Sequence, residues 1–206
     1  MREESSGSGD ATWSLVGSNA LTLVLGLALH WPVATLLWPY WLQSVIIGWY
    51  ARKRMLALQA FSTEGFTSGS NEEPVPENET GKRETAKFFV IHYGFFHLFY
   101  LLFLLAEARP AGFLDVVLIA AAGYSFTYAQ RKTFTEQVAA DARGRPNLGA
   151  LMFLPYLRVV PIHLSIVFGA TMMGSGGLLL FVPLKTVADV LLDRIDRNFA
   201  NQAADA

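Results

Sequence analysis

The chain has no cysteine. That one absence removes disulfides, thiolate metal sites, iron–sulfur clusters and cysteine nucleophiles together. Charge is scarce too. Only 16% of residues are Asp, Glu, Lys or Arg, where a soluble globular domain carries roughly 25%. The signs nearly cancel, with 16 Lys and Arg against 17 Asp and Glu. A nucleic-acid binder usually carries a basic excess, so nucleic acid is excluded as a partner. Catalytic signatures are missing as well: there is no Gly-x-Ser-x-Gly, no His-Glu-x-x-His and no phosphate-cradling glycine loop. The N-terminus, Met1-Arg2-Glu3-Glu4 followed by Ser and Gly, has no basic n-region. No small-residue cleavage site follows the first apolar run, so no secretory signal is expected.

What the chain has in excess is apolar surface, at 52% of 206 residues. It is concentrated in six runs, 12–30, 33–51, 88–107, 112–130, 151–173 and 177–195. Each is close to the about 20 residues that a bilayer-crossing helix needs. The second and sixth are the least regular, because each carries polar residues and a proline. The bland alternative is a soluble bundle with buried core helices, but so few charges would be hard pressed to cover six such runs. The expected fold class is therefore all-α: a polytopic bundle of about six transmembrane helices, multi-pass in the cell membrane, with the lipid bilayer as its first partner.

Basic residues give the expected orientation. Of 16 Lys and Arg, 13 fall in the tails, the even-numbered gaps or, as Arg194, at the very end of the last run, among them Arg52, Lys53, Arg54, Lys82, Arg83, Arg143 and Arg145. The odd-numbered gaps hold only Arg109, and Arg158 and Lys185 lie inside spans. Positive charge marks the cytoplasmic side, so both termini are expected there. The domain reading is a disordered tail (1–11), two helices (12–61), an acidic disordered cytoplasmic loop (62–87), four helices (88–196) and a C-terminal tail (197–206). Residues 62–81 carry acids and no base until Lys82, with Pro and Gly, and cannot bury enough apolar surface to fold alone. The sequon Asn78-Glu79-Thr80 is discounted because it lies on the expected cytoplasmic side.

Small and polar residues mark expected helix contacts, since lipid is as apolar as Leu. Ser14, Ser18, Thr22, Gly26 and His30 recur every four residues. Tyr40, Ser44 and Gly48 follow on the second run, Ala121 and Ser125 beside Tyr124 and Tyr128 on the fourth, and Ala170 and Gly174 on the fifth. Gly174 to Gly177 reads as a tight outer turn. Prolines at 39, 161 and 183 interrupt three runs, with Pro155 near the start of the fifth.

Ionisable and polar residues within spans are costly and mark a site by default. The candidates are Gln43, His92, Tyr93, His97, Arg158, His163, Lys185 and Asp189. At ~1.5 Å of rise per residue, these side chains from four helices fall about 6 to 18 Å from the cytoplasmic ends of their spans. That common depth suggests a shared polar pocket in the cytoplasmic half. Arg158 and Asp189 are matched in depth and are expected to pair; Lys185 and Asp189, four apart, share a helix face. Two cations against one carboxylate leave a net-basic site suited to a small anionic ligand or a lipid head group, or a structural ion pair locking the last two helices. His92, His97 and His163 are candidate ligands for a metal or haem. His92 and His97 are five apart, about 140° around a helix, which suits two-ligand binding poorly. His97 instead shares a face with Tyr93 and Tyr100.

The pattern Tyr40-Trp41…Gly48, Phe88-Phe89…His92-Tyr93-Gly94…Phe96-His97, Pro155-Tyr156…Arg158…Pro161…His163…Gly169 and Leu184-Lys185…Asp189 resembles a family of prokaryotic integral-membrane proteins catalogued as domain of unknown function 6498. The resemblance covers about residues 20–196. It implies the membrane class and adds no reaction and no cofactor. It also implies Glu where this chain has Gln43, so a role needing a carboxylate there is not carried over. Three functions stay open: a small-molecule or ion transporter or binding protein, a membrane-embedded metal or haem redox enzyme, and a structural partner subunit, alone or as a homo-oligomer.

Overall fold

The computed structural model describes residues 3–31, 34–69, 72–110, 112–169 and 177–204. The chain is all-α apart from one small hairpin. Its helices are α1 (Glu3–Ala28), α2 (Ala34–Ala57), α3 (Glu79–Glu107), α4 (Phe113–Asp141), α5 (Leu148–Phe153), α6 (Tyr156–Gly169) and α7 (Leu178–Ala204). Each of the six apolar runs lies on a helix. The fifth run is split: the chain turns at Leu154-Pro155, where proline brings no backbone donor, and α5 and α6 continue on either side. Pro39, Pro161 and Pro183 stay inside α2, α6 and α7.

The central helix is α2. It packs on α3 and α4 and touches α5 and α6, while α7 packs on α1 and α6. The core joins Leu37, Tyr40 and Met55 of α2 to Phe89, Tyr93, Tyr100 and Leu104 of α3, with Leu151, Ile162 and Phe181 closing it. On α3 the buried residues Phe89, Tyr93, His97, Tyr100 and Leu104 recur at steps of three and four, one stripe of a helix. The opposite face of α3 exposes Ile91, Phe95, Leu98, Phe99 and Leu102.

Among the described residues two helices, α3 and α4, are long and apolar enough to cross a membrane, and only 28% and 6% of their apolar windows are buried. The other four runs fall short by length or composition. On α1 and across the α5–α6 break the apolar stretches are short, at Val16–Ala28 and Leu148–Leu164. On α2 and α7 charged residues occupy the C-terminal half.

Four expectations change. First, α1 begins at Glu3, well inside the segment read as a disordered tail. Second, the acidic segment read as a disordered loop is folded. Strands β1 (Thr67–Ser68) and β2 (Glu73–Pro74) pair antiparallel. Thr63 donates to the Val75 carbonyl at 2.7 Å and to the Glu77 carboxylate through its backbone at 2.8 Å. Ser62 bonds Pro146 and Leu148 through the backbone. Arg145 pairs with Glu77, and Asn147 donates to Glu64. Segment 62–78 cannot fold alone, but it folds against the 145–150 segment, which supplies the missing partners. Asn78, discounted as a sequon, caps α3 by accepting from the Gly81 amide at 3.0 Å.

Third, the face of α4 bearing Ala121, Tyr124, Ser125 and Tyr128 does not turn inward; all four are exposed, and Gly123 is the buried residue, packed against Leu42 of α2. Fourth, the four-residue stripe on α1 does not stay on one face. Gly26 is buried, and a Cβ there would meet Leu178 at 2.8 Å, whereas Ser18 and His30 are exposed. Ala170, Gly174 and the turn begun at Gly174 lie outside the described residues.

Candidate functional site

Polar side chains gather in two buried places. The first is the seam between α2 and α3. Ser44 and Tyr93 share a hydroxyl–hydroxyl bond of 2.7 Å, and the Tyr93 hydroxyl also lies 3.0 Å from the Ser44 carbonyl. His97 Nε2 meets the Ser44 hydroxyl at 3.0 Å, and its Nδ1 meets the Tyr93 carbonyl at 2.8 Å. The Tyr93 and His97 rings stack with centroids 4.2 Å apart. Gly48 makes this fit possible: a Cβ there would lie 2.5 Å from the Tyr93 ring. Both nitrogens of His97 are therefore engaged. Two further histidine bonds tie α3 to α6: His92 Nδ1 with the Tyr156 hydroxyl at 2.8 Å and His163 Nδ1 with the Tyr100 hydroxyl at 3.1 Å.

His92, His97 and His163 do not converge on one point; each binds its own tyrosine or serine. Among the described residues no group of three His, Asp or Glu side chains is placed to hold a metal.

The second place is the junction of α1, α6 and α7. Lys185 pairs with Asp189 on the same face of α7, and its ammonium also donates to the Asn19 Oδ1 of α1 at 3.1 Å. The Asn19 amide in turn donates to Asp189 Oδ2 at 3.4 Å. The expected Arg158–Asp189 pair is present, with guanidinium and carboxylate 3.6 Å apart. That separation is too long for a hydrogen bond, and two polar atoms here lack partners. Asp189 Oδ1 and the Tyr40 hydroxyl are buried with no hydrogen-bond partner among the described residues. Lys185 also stands 5.6 Å from the centre of the Tyr40 ring, a cation–π arrangement.

Beside this junction lies a cavity of about 410 Å³, lined by Gln43, Tyr50, Arg54, Gln130, Thr133, Gln137, Arg158, Lys185, Asp189 and Asp193 among others. Its volume suits a small solute. Of the eight candidates, Gln43, Arg158, Lys185 and Asp189 line it; Tyr93 and His97 belong to the α2–α3 seam, and His92 and His163 to the α3–α6 contacts. Arg158 keeps only 19% of its side-chain exposure. Its guanidinium makes no hydrogen bond to any described residue.

A family model described as a family of unknown function (DUF6498) matches residues 1–206, the whole chain. The chain belongs to this family. No curated protein and no solved structure matches it. Membership in the family thus leaves the chemistry of the site to its geometry.

That geometry adds three residues to the sequence reading. Asn19 was hidden among the small residues of α1, one position off the stripe. Seven residues return a helix to within about 20° of its starting face, whereas eight leave it about 80° away. Asn19 therefore shares the face of Gly26, and Ser18 does not. Asp193 lines the cavity one turn beyond Asp189 and adds a second carboxylate, which reduces the expected basic excess. Arg54 holds Asp141 in a two-point bond of 2.7 and 2.9 Å, clasping α2 to α4 at the cavity's edge. The sequence signal for that pair was weak, because both residues lay outside the expected spans.

Proposed function

We propose that this chain is a six-helix integral membrane protein of the cell membrane, with both termini cytoplasmic, whose polar pocket in the cytoplasmic half binds a small solute through an anionic group held by Arg158. The observation that carries this reading is Arg158 itself: a mostly buried guanidinium without a hydrogen bond among the described residues, at the wall of the 410 Å³ cavity. Its ion-pair partner Asp189 stands beyond hydrogen-bond distance, donors left unmet in a buried place are costly, and a bound carboxylate or phosphate would accept them in a forked geometry. Asp189 Oδ1, also lacking a donor, favours a solute that carries a donor group beside its anionic one.

The membrane part rests on the outward faces of α3 and α4. They expose Phe95, Phe99, Phe113, Leu114, Leu118 and other large apolar side chains, and apolar surface left exposed in quantity marks a membrane or partner face. The 13-to-1 division of basic residues gives the orientation. The three histidines support the redox reading less, because each is already bonded to a hydroxyl.

Two measurements test the reading. Single cysteines placed in the cysteine-free chain report topology: Arg109→Cys reacts with an impermeant thiol reagent added outside cells, and Arg83→Cys reacts only after permeabilisation. Reaction at both positions from outside overturns the orientation. The melting temperature of the purified full-length protein is then followed with acetate, inorganic phosphate or glycine added. At least one raises it for the wild type and none does for Arg158→Gln. Failure of all three to move the wild type overturns the binding reading and favours a purely structural ion pair.

A further inference from the structure

A second cavity, of about 200 Å³, lies between α1, α2 and α7 and is lined by Asn19, Thr22, Pro39, Tyr40, Gln43 and Lys185 among others. Its residues come from the C-terminal half of α1 and the N-terminal portions of α2 and α7. The larger cavity draws on the C-terminal portions of α2 and α4, on the middle of α7, beyond the part that lines the smaller one, and on α5 and the start of α6. The two cavities are therefore stacked along the bundle. They share two side chains, Gln43 and Lys185.

We infer that the two cavities are the outer and inner halves of one solute path, closed in this state by Lys185. This rests on the membrane orientation and the Arg158 pocket proposed above.

Lys185 has the attributes of a gate. Its flexible four-carbon stem is fixed at the tip by two bonds, to Asn19 of α1 and to Asp189 of its own helix. Breaking them frees a long side chain standing between the two spaces. Pro183, two residues before it, cannot donate to the Leu179 carbonyl, so α7 lacks a backbone bond just outside the gate. Pro39 does the same on α2 at the wall of the outer cavity. Broken backbone hydrogen bonding beside a midplane site is how membrane helices commonly accommodate passage. Each cavity also has a lining residue with a buried polar atom that lacks a hydrogen-bond partner among the described residues, the Tyr40 hydroxyl in the outer one and Asp189 Oδ1 in the inner one. An anionic group on Arg158 would compete with Asp189 for that guanidinium. It would thereby alter the carboxylate that holds Lys185 in place, which couples occupancy to opening.

The test uses the full-length chain in intact cells, with single cysteines and a charged, impermeant methanethiosulfonate reagent added outside. Thr22→Cys, in the outer cavity, reacts. Gln130→Cys, in the inner cavity, is protected while Lys185 is present and reacts about tenfold faster when Lys185→Ala is added. Protection that persists in a folded Lys185→Ala protein overturns the gate, and an unreactive Thr22→Cys overturns the outer opening. Should Lys185→Ala not fold, Asn19→Ala removes one of the two bonds at the tip and still raises Gln130→Cys reactivity; no increase there overturns the proposal. The melting shift with acetate, phosphate or glycine is a separate readout. If it is intact and depends on Arg158 while Gln130→Cys stays protected, the path fails and the binding pocket stands; if it is absent while Gln130→Cys opens, the pocket fails and the path stands.

Discussion

The α2–α3 seam and the junction of α1, α6 and α7 are both buried and both polar, yet they treat their polar atoms in opposite ways. In the seam every donor finds an acceptor: Ser44, Tyr93 and His97 bond one another and the backbone, and Gly48 lets the ring sit flush. At the junction the bonds are incomplete. Arg158 stops 3.6 Å short of Asp189, and Asp189 Oδ1 and the Tyr40 hydroxyl are left over. A satisfied buried network fixes one structure, whereas an incomplete one beside a cavity has capacity for a ligand. The histidines were the most chemical-looking residues of the sequence, but packing engages them in structure. The Arg158 guanidinium keeps donors that no described residue accepts, beside a Lys185 and an Asn19 that are already bonded.

This contrast can be broken or sharpened by substitution. The largest effect is expected in the seam. Gly48→Val drives a branched side chain into the Tyr93 ring and should cost about 3 kcal/mol, read as a loss of folded yield and a lower melting temperature in detergent. Next comes Arg158→Gln. With an effective anion at a hundredfold excess over its Kd, the wild type gains about 2.7 kcal/mol and the variant nothing, measured as the ligand-induced melting shift. A similar loss of ligand response from Gly48→Val protein that still folds would erase the distinction between the regions. Ser44→Ala is smaller. It leaves His97 Nε2 without its partner and should cost about 1 kcal/mol, with the anion response intact. Loss of that response would mean that the seam belongs to the site.

The smallest effect lies outside both regions, at the start of α3. A hydrogen bond from Lys82, aided by the charges of Lys82 and Arg83, holds the Glu79 carboxyl below the usual carboxylate range. A lowered folded-state value favours the folded form above the unfolded-state pKa of about 4.3, and that contribution disappears as pH falls further through the folded value. Glu79→Gln should therefore flatten the acid limb of the melting-temperature profile slightly and leave neutral pH almost unchanged. An identical acid limb in the two proteins would show that the exposed pair contributes nothing.

Much of this molecule was legible along the chain. Six apolar runs correspond to six helical rods, because length and hydropathy are local properties and a helix satisfies its own backbone. The buried faces of α2 and α3 followed from spacing, through Tyr40, Ser44 and Gly48 and through Tyr93, His97 and Tyr100. The pairing of Lys185 with Asp189 followed from their four-residue interval, and that of Arg158 with Asp189 from matched depth. Spacing failed on α4. Its small residues could be counted, but which of them meets a neighbour depends on where α2 passes, and α2 meets Gly123. It failed in the acidic segment for a related reason: residues 62–78 lack the means to fold alone and find them in residues more than sixty positions later.

The sequence alone marked which stretches are apolar enough to form helices, which of their residues are polar, and where along the chain the charges gather. These depend on composition and on a fixed rise and turn per residue. Only the tertiary structure decided which polar residues are satisfied. Satisfaction is a relation between atoms on different helices: Ser44 reached His97, Tyr156 reached His92, and no described acceptor came within hydrogen-bonding distance of the Arg158 guanidinium.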